Sequence, residues 1–506
     1  MADESEVGVP AAPAGDAGQL EALRSDLHQG DYTVDHLDEL LGPMAGAALG
    51  GGQRLPADLA TRGSQEAAAT LLRLLVLGLP VGSEAVQRAL PRTGVDGAVA
   101  LGLARESSPG QVVGTCDLRP YADERHSWWV ASDLTTMATS APLGPRHVVG
   151  VGGASTTLAS WTPRPWAART LDLGTGSGVQ ALPLAEHSAY RVVSDLSERA
   201  LAFAAFTCAL NGIDVDVRQG SLFDPVVDET FDLIVCNPPF VITPRGAGLD
   251  TLDYRDGGAV GDSIVAQVIA RVGHHLNPGG MAQLLGNWEL TSGETWSARV
   301  DGWLPRGLDA WVVQREEQDV ADYALTWTRD AGHPVGTPQF DRWYAAWLED
   351  FAARGIERVG FGVITLQRPS EDREAWRSLE EVRGAVTTPM GPAVLAGVRA
   401  RSWLAMHDDH DVLGVPWSVA QDVTEERISA PGAPDPRVIQ LRQGGGLRRV
   451  ARLDSLSAGL VGALDGELTA GQIAQALAAL TDTTVEEVHA AVVPTLRALV
   501  ADGLLR

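Results

Sequence analysis

The strongest constraint on the fold is a change of period between about Ala168 and Arg368. Short apolar segments, including TLDLG, YRVVSDLS and FDLIVC, alternate here with helical patterns such as ERALAFAAFTCALNG. Strands that alternate with helices along a chain form open, mostly parallel sheets with helices on both faces. The sequence therefore predicts an α/β domain with a doubly wound, Rossmann-like sheet over residues 168–368.

Two later segments, LDAWVVQ and IERVGFGVITLQR, complete the predicted sheet, and we allow an antiparallel orientation for the second. Between them lie residues 327–355, with the sequence WTRDAGHPVGTPQFDRWYAAWLEDFAARG. Their pattern predicts an insertion that holds one amphipathic helix.

The chain has 506 residues, too many for one ordinary core. Leu-rich patterns predict a helical, winged-helix-like N-terminal domain, and strand-like segments such as HSWWVASDL connect it to the sheet. Helical patterns return at the C-terminus and predict a second winged-helix-like module. The predicted units are a disordered tail over 1–18, the N-terminal domain over 19–106, a strand-rich, pocket-covering connector over 107–167, the sheet domain over 168–368 and the C-terminal domain over 369–506.

The charge balance limits the partners of this chain. Its net charge is −26 and it contains no lysine, which disfavours a broad nucleic-acid surface because phosphate binding relies on clustered positive charge. The acidic N-terminus is unlike a signal peptide, and the most apolar stretch, residues 69–81, is too short to span a bilayer. Three distant cysteines predict reduced thiols. We expect a soluble, cytoplasmic protein.

A glycine-rich turn, LDLGTGSG, stands where the first strand of the sheet leads into the first helix. Glycines at such a turn let the backbone approach a ligand, and the following helix directs N–H groups toward it. The spacing is GxGxG with Asp172 two positions before Gly174, unlike the GxGxxG fingerprint of dinucleotide sites. A carboxylate there would repel a pyrophosphate and suits a ligand that carries positive charge, such as S-adenosylmethionine.

Asp195 ends the next strand, in VVSDLS. A carboxylate at the tip of the second strand lies where it accepts hydrogen bonds from ribose hydroxyls in nucleotide-binding sheets. Each acid alone is also compatible with a helix cap near a structural turn. The two acids together, in this order and separation, favour a nucleoside-containing cofactor.

Four motifs in order, LDLGTGSG, VVSDLS, GSLFDP and NPPF, resemble those of the class I S-adenosylmethionine-dependent methyltransferases that modify nitrogen. The similarity covers roughly residues 147–300. The surrounding sequence is similar to the release-factor glutamine N5-methyltransferases, which share the stretch YRDGGAVGDSIVAQVIARVGHHLNPGG. The same subgroup includes ribosomal-RNA guanine and adenine N-methyltransferases. Those RNA enzymes more often have phenylalanine at the fourth position of the NPPF motif.

The resemblance implies S-adenosylmethionine as cofactor and assigns residues to its site. They are Asp172, Gly174, Thr175, Gly176, Gly178, Asp195, Leu196, Ser221, Leu222 and Asn237. One position departs from the family pattern, because an acid usually follows the glycine of the third motif and this chain has Ser221. In the family that acid lies near the adenine amino group, so the resemblance supports Ser221 less than the other residues.

The stretch NPPF, from Asn237 to Phe240, follows a buried strand directly. A Pro-Pro pair cannot continue the hydrogen-bond ladder, so Pro238 and Pro239 end the strand and leave carbonyl groups free. The Asn237 side chain and the Pro238 carbonyl can then accept the two N–H groups of a planar nitrogen, while Phe240 offers a face for stacking. An isolated NPPF would be read as a turn. Its place about sixty residues after the glycine turn favours these four residues as catalytic.

Other residues carry weaker signals. Ser155–Thr157 precede the first motif and are candidates for cofactor contact, and Trp288 is a candidate for the target pocket, although packing explains it as well. Trp128 and Trp129 are interpreted as core residues. The stretch MHDDHD at 406–411 lacks a second ligand cluster and is interpreted as a solvated loop, so no metal is expected.

We therefore interpret the chain as an S-adenosylmethionine-dependent N-methyltransferase. The acceptor that we favour is a protein glutamine amide, on the resemblance and the acidic charge. The alternative is an exocyclic amine of guanine or adenine in structured RNA (rRNA or tRNA), favoured by Phe240. A non-catalytic regulator that binds S-adenosylmethionine is a third interpretation, which the intact NPPF disfavours. The sequence leaves the oligomeric state open.

Overall fold

The computed structural model describes residues 10–244, 253–257 and 260–506. The described N-terminal part holds six α-helices, a π-helical turn over Leu72–Val76 and a small sheet in the order β1–β3–β2, the arrangement of a winged helix. The elements are α1 (Ala17–Gln29), α2 (Val34–Gly50), α3 (Arg54–Thr61), α4 (Ala67–Leu71), β1 (Val81–Gly82), α5 (Ser83–Ala89), α6 (Gly94–Ala100), β2 (Ala104–Ser108) and β3 (Gln111–Gly114).

The chain is ordered well before the end of the predicted disordered tail over 1–18. Asp16 and Gln19 form a capping box that starts α1 at Ala17. Before it, the Ala14 N–H donates to the Leu101 carbonyl at 3.1 Å. The prediction was therefore wrong for residues 10–18, while residues 1–9 lie outside the described part of the chain.

The connector contains a two-stranded antiparallel sheet and two helices. They are β4 (Asp117–Ala122), β5 (Ser127–Ser132), α7 (Thr136–Thr139) and α8 (Gly153–Trp161). Trp129 of β5 is buried in one cluster with the N-terminal helices, and its indole N–H donates to the Tyr32 carbonyl at 2.8 Å. The connector thus joins the N-terminal part to the central sheet.

The central sheet has eight strands in the order β8–β7–β6–β9–β10–β12–β11–β13. They are β6 (Ala167–Leu173), β7 (Ser188–Asp195), β8 (Asp216–Gln219), β9 (Phe231–Cys236), β10 (Leu276–Thr291), β11 (Asp309–Asp319), β12 (Ile356–Gln367) and β13 (Arg377–Glu381). β6 pairs in parallel with both β7 and β9, so the strand order reverses at β6. In open α/β sheets ligands bind at such a reversal, outside the carboxyl ends of the strands.

Helices between these strands complete the predicted α/β fold. They are α9 (Ala181–Leu184), α10 (Glu198–Leu210), α11 (Asp253–Asp256), α12 (Ser263–Val272), α13 (Trp296–Asp301), α14 (Val320–Asp330) and α15 (Pro338–Arg354). β12 is antiparallel to both β10 and β11, as the sequence allowed. The doubly wound, mostly parallel sheet is therefore confirmed.

Two details of the sheet domain differ from the sequence prediction. The insertion between β11 and β12 contains two helices, α14 and α15, where one was predicted. The sheet also extends past residue 368, because β13 pairs in parallel with β11. β13 has the sequence RSLEE, which has no apolar pattern, and it was therefore not predicted. It forms the edge of the sheet, where charged side chains are tolerated.

The C-terminal part combines five helices with an antiparallel sheet. Its elements are α16 (Gly391–Met406), α17 (Asp409–Leu413), β14 (Val423–Ile428), β15 (Val438–Gln443), β16 (Val450–Leu453), α18 (Ser455–Val461), α19 (Ala470–Thr481) and α20 (Val485–Ala501). α19 and α20 follow Thr469 and Thr484, each of which forms a capping box, in agreement with the helical patterns of the sequence. The sheet was not predicted, because strands such as VTEERI carry charges on both faces.

Candidate active site

A cavity of about 650 Å³ lies at the carboxyl ends of the strands around the reversal at β6. Most of the residues that the sequence assigned to cofactor or target line it. They are Gly174, Thr175, Gly176, Asp195, Leu196, Ser221, Leu222, Asn237, Pro238, Pro239 and Phe240. Asp172 and Gly178 do not line it. One cavity therefore unites all four motifs.

The glycine turn is fixed to the neighbouring strand by its own backbone. The N–H groups of Gly174 and Thr175 both donate to the Ser194 carbonyl, at 2.8 and 2.9 Å. Gly176 has φ +56°, and a Cβ there would meet no heavy atom within 4 Å. The turn therefore leaves open space beside its backbone, as a ligand that contacts the peptide groups requires.

Gly178 has a packing role. Its φ is +85°, and a Cβ on it would lie 3.2 Å from the Ala204 Cα of α10. This glycine lets α10 approach the turn closely.

Asp172 lies beneath the turn. It is almost fully buried, and its Oδ2 accepts a hydrogen bond from the Thr175 hydroxyl at 2.6 Å. Its Oδ1 is buried and has no hydrogen-bond partner among the described residues. Burial raises the pKa of the Asp172 carboxyl to about 7, the Thr175 hydrogen bond opposes this rise, and the charge of Asp195 adds to it.

Asp195, at the end of β7, lines the cavity where the sequence placed it. Its Oδ2 accepts the Gly176 N–H at 3.0 Å, and its Oδ1 accepts the Ser197 N–H at 2.9 Å. These bonds orient the carboxylate between the glycine turn and the start of α10. Leu196, the next residue, lines the cavity and is 69% exposed, so it offers an apolar surface to a ligand.

The third motif turns next to Asp195. The Gly220 N–H donates to the Asp195 carbonyl at 3.0 Å, which brings Ser221 and Leu222 to the cavity wall. Leu222 adopts a left-handed conformation with φ +47°. A non-glycine residue in this region is uncommon and marks a constrained turn.

The NPPF stretch begins where β9 stops. The last β9 residue, Cys236, pairs with Leu284, although β10 continues to Thr291. Two successive prolines remove the N–H groups that would extend the parallel ladder, which explains why β9 ends first. The Asn237 carbonyl oxygen is 4.0 Å from the position of a Cβ on Gly174, so this stretch and the glycine turn are neighbours.

The Asn237 side chain has an unmatched acceptor. Its Oδ1 is buried and has no hydrogen-bond partner in the described part of the chain, although the residue lines the cavity. A buried acceptor without a partner costs roughly 1–3 kcal/mol. A donor bound in the cavity would remove this cost. Phe240 is half-buried, and its ring meets the Trp327 ring edge-on, with 6.4 Å between centroids.

Several cavity residues escaped the sequence analysis. They are Arg146, His147, Arg255, Asp256, Trp327 and Asp330. Arg255 is joined to the NPPF region, because the Val241 N–H donates to its carbonyl at 3.0 Å. Trp327 and Asp330 lie on α14, and only the repeated aromatic residues of the insertion could have indicated a role.

The segment before the first motif covers the cavity beside the turn. Ser155 lines the cavity, and its hydroxyl caps α8 by accepting the Gly152 N–H at 2.9 Å. Thr156 and Thr157 do not line it. The Gln180 side chain donates to the Ser155 carbonyl at 2.8 Å, which ties this segment to the chain that follows the turn.

The remaining candidates pack in the interior or lie at the surface. Trp288 is fully buried, stacks on Trp296 and is absent from the cavity wall, so packing explains it. In the 406–411 stretch, Asp408, His410 and Asp411 are close together but exposed, and Asp408 caps α17. Within the described ranges, all helices are too short or too polar to cross a bilayer.

Comparison with known families confirms the predicted resemblance. Residues 150–300 match the family model described as "Methyltransferase small domain". Residues 29–114 and 396–506 match two models described as domains of unknown function (DUF7059 and DUF7782).

Three relatives illustrate the similarity. A release factor glutamine methyltransferase of Geobacter sulfurreducens is 36% identical over 156 residues, 29% of this chain and 54% of the relative. A ribosomal protein uL3 glutamine methyltransferase of Bradyrhizobium diazoefficiens is 36% identical over 22% of this chain and 38% of its own length. A ribosomal RNA small subunit methyltransferase C of Sodalis glossinidius is 30% identical over 39% of this chain and 59% of its own length. The chain thus spans less than two thirds of each.

Proposed function

We propose that this protein is an S-adenosylmethionine-dependent methyltransferase that acts on a planar amide or amine nitrogen. The observation that carries the proposal is the buried, unpartnered Oδ1 of Asn237 in the cavity that also contains the glycine turn and Asp195. The similarity of residues 150–300 to methyltransferases supports it.

The residues present fit S-adenosylmethionine. The cavity volume lies in the range of about 300–1,000 Å³ typical of small-molecule sites. Asp195 presents a carboxylate suited to ribose hydroxyls, the open side of Gly176 admits a ligand, and Asp172 beneath the turn favours a nearby positive charge. When bound, S-adenosylmethionine supplies an activated methyl group on a positively charged sulfur.

The chain's own residues prepare the nitrogen. Asn237 Oδ1 accepts one N–H of the target and the Pro238 carbonyl accepts the other, which draws the lone pair out of conjugation and offsets the developing positive charge. Phe240 supplies a flat surface for the conjugated group. The nitrogen loses one proton to solvent as it gains the methyl group, so this arrangement needs no separate general base.

The acceptor that we propose is a glutamine side chain of a protein. Two of the relatives are named glutamine methyltransferases, and the net charge of −26 disfavours a broad RNA-binding surface. The second candidate is an exocyclic amine of an RNA base. It is favoured by Phe240 in the fourth position and by the relative named for ribosomal RNA.

We also propose that the N- and C-terminal parts recruit the macromolecule that carries the acceptor. The matched segments 29–114, 150–300 and 396–506 do not overlap, which supports treating the two flanking parts as units separate from the central sheet. The C-terminal part is joined to the sheet edge by a bidentate ion pair between Arg449 and Glu380, at 2.6 and 2.7 Å.

The test is methyl transfer from tritiated S-adenosylmethionine to an extract of cells that lack this protein. Label that survives RNase and is lost to protease supports the glutamine acceptor, and the reverse supports RNA. Asn237→Ala should lower labelling by a factor of about 100 or more, as loss of a preorganised polar group does at other sites. Asn277→Ala, which removes an asparagine at the start of β10, should label normally. Equal labelling by Asn237→Ala and the unmodified protein would refute the assignment of Asn237.

A further inference from the structure

Two residues that line the cavity each hold a buried hydrogen-bond donor without a partner, whereas Asn237 holds an unmatched acceptor. The donors are the Nη2 of Arg255 and the indole Nε1 of Trp327. Both atoms lack a hydrogen-bond acceptor within the described residues, and both residues line the cavity. A buried donor without an acceptor is as unfavourable as the unmatched Asn237 oxygen. Three unmatched groups on residues that line one cavity indicate a ligand that supplies one donor and an acceptor oxygen.

The Arg255 guanidinium is held in place by its other nitrogens. Its Nη1 donates to the Trp327 carbonyl at 2.9 Å and to Asp330 at 3.2 Å, and its Nε donates to Asp256 at 3.2 Å. The same residue is fixed to the NPPF region through the Val241 N–H. Nη2 is therefore the part of the guanidinium that remains for a ligand, in a side chain that is 2% exposed.

The charges around this donor pair select a neutral oxygen. Asp256 and Asp330 both contact the single guanidinium of Arg255, so its positive charge is already balanced. Burial lowers the pKa of the neighbouring His147, which keeps that ring neutral near pH 7. Arg146, the other cation on the wall, is exposed to solvent. A phosphate or carboxylate bound at the pair would meet no uncompensated positive charge, whereas a carbonyl oxygen requires none.

We infer that Arg255 and Trp327 bind the carbonyl oxygen of the methyl acceptor, while Asn237 binds its N–H. A primary carboxamide, such as the glutamine side chain proposed above, supplies both the N–H and the carbonyl oxygen. Adenine carries an amine and no carbonyl, so the pair disfavours it. This inference rests on the proposed function and assigns two further residues to the acceptor. Arg255 and Trp327 then orient the conjugated plane so that its nitrogen faces Asn237.

A binding experiment tests the donor pair without turnover. The full chain is saturated with S-adenosylhomocysteine, and the indole ¹H–¹⁵N signals are recorded as N-acetyl-glutamine methylamide is added. The Trp327 signal, identified by its loss in Trp327→Phe, should move downfield. Adenosine and the glutamate analogue of the amide should leave it in place. An unmoved signal with the amide, or an equal shift with the glutamate analogue, overturns the inference, and a shift with guanosine alone overturns the carboxamide.

A kinetic experiment uses the acceptor identified by labelling. Trp327→Phe keeps a ring beside Phe240 and removes only the N–H, and should raise the KM for the acceptor by roughly three- to tenfold. The affinity for S-adenosylmethionine and the unfolding midpoint should be unchanged. Trp347→Phe is the matched control, because its indole Nε1 is also buried without a partner in the described chain but lies away from the cavity. An equal effect of both variants on KM refutes a role of the Trp327 N–H.

Arg255→Lys provides a second variant, since it keeps the charge beside Asp256 but loses the fork of the guanidinium. It should raise the same KM without weakening cofactor binding, and an unchanged KM contradicts the inference. The two proposals fail in different ways. A chain that methylates no extract fraction refutes the proposed function, whereas the indole signal still reports whether the donor pair binds a carbonyl.

Discussion

The buried carboxyl group of Asp172 should make the stability of the protein sensitive to pH. Burial raises its pKa from the ordinary 3.8 to about 7, which corresponds to about 4 kcal/mol between the two protonation states. Because the pKa is raised in the folded state, the protonated carboxyl favours folding. This contribution to the unfolding free energy is fully present below pH 3.8 and is lost as pH rises through 7. About 3 kcal/mol of it is lost between pH 5 and pH 8.

The substitution Asp172→Asn removes this titration. Its amide retains an acceptor for the Thr175 hydroxyl but adds a buried N–H₂, which costs about 1–3 kcal/mol at every pH. Relative to the variant, the unmodified protein should therefore lose about 3 kcal/mol of unfolding free energy between pH 5 and pH 8. Urea denaturation of the ligand-free proteins at both pH values measures this difference.

Cofactor binding should depend on the same proton. A cation beside the turn favours the ionised form of Asp172. As pH rises toward 7, the Kd for S-adenosylmethionine should therefore decrease about tenfold per pH unit, and it should be constant above pH 7. Asp172→Asn should bind more weakly and lose this dependence. Thr175→Val, which removes the hydrogen bond that lowers the Asp172 pKa, should move the transition to higher pH. If the stability difference between the Asn variant and the unmodified protein is equal at pH 5 and pH 8, Asp172 does not titrate as described.

Two further substitutions test the framework of the site by urea denaturation. Gly178→Ala should destabilise the fold by about 2–4 kcal/mol, because Gly178 has φ +85° and the new Cβ would lie 3.2 Å from the Ala204 Cα. Gly63→Ala is the control. Gly63 has φ +89° but open space around it, so this substitution should cost only about 1–2 kcal/mol. Equal losses would mean that close packing of α10 is irrelevant. Tyr323→Phe should lower the free energy of unfolding by about 1–3 kcal/mol, because the Tyr323 hydroxyl accepts the buried Ile242 N–H at 3.0 Å. An unchanged urea midpoint would show that this N–H finds another acceptor.

The residues that we propose for the cofactor could be placed together from the sequence, because each belongs to a short local motif. A glycine turn, an acid at a strand end and a Pro-Pro break each mark the carboxyl end of a buried parallel strand, and parallel strands bring these ends to one edge of the sheet. The structure accordingly places Gly174, Asp195 and Asn237 around one cavity. The position of Asp172 beneath the turn was not predictable, because strand alternation and the twist of the turn decide which face its side chain occupies.

Two of the missed strands share a physical cause. Sequence patterns detect a strand when its buried residues are apolar, and these two strands have few such residues. β13 (RSLEE) is the edge of the central sheet, and β14 (VTEERI) is the edge of the C-terminal sheet. An edge strand keeps one side in solvent and tolerates charge, so its pairing partner rather than its own composition determines that it forms.

The residues that we propose for the acceptor were the hardest to identify from the sequence. Trp327 lies on the inserted helix α14 and Arg255 on the short helix α11, so tertiary packing brings them to the same cavity as Asn237. A tryptophan in an amphipathic insertion is also ordinary as a core residue, and neighbouring Trp347 is one. The two differ in a property that only coordinates show. Both have a buried, unmatched indole N–H, but only Trp327 lines the cavity. The glycine turn and the NPPF stretch can therefore be recognised as motifs, whereas the contact between Arg255 and Trp327 is visible only in the coordinates.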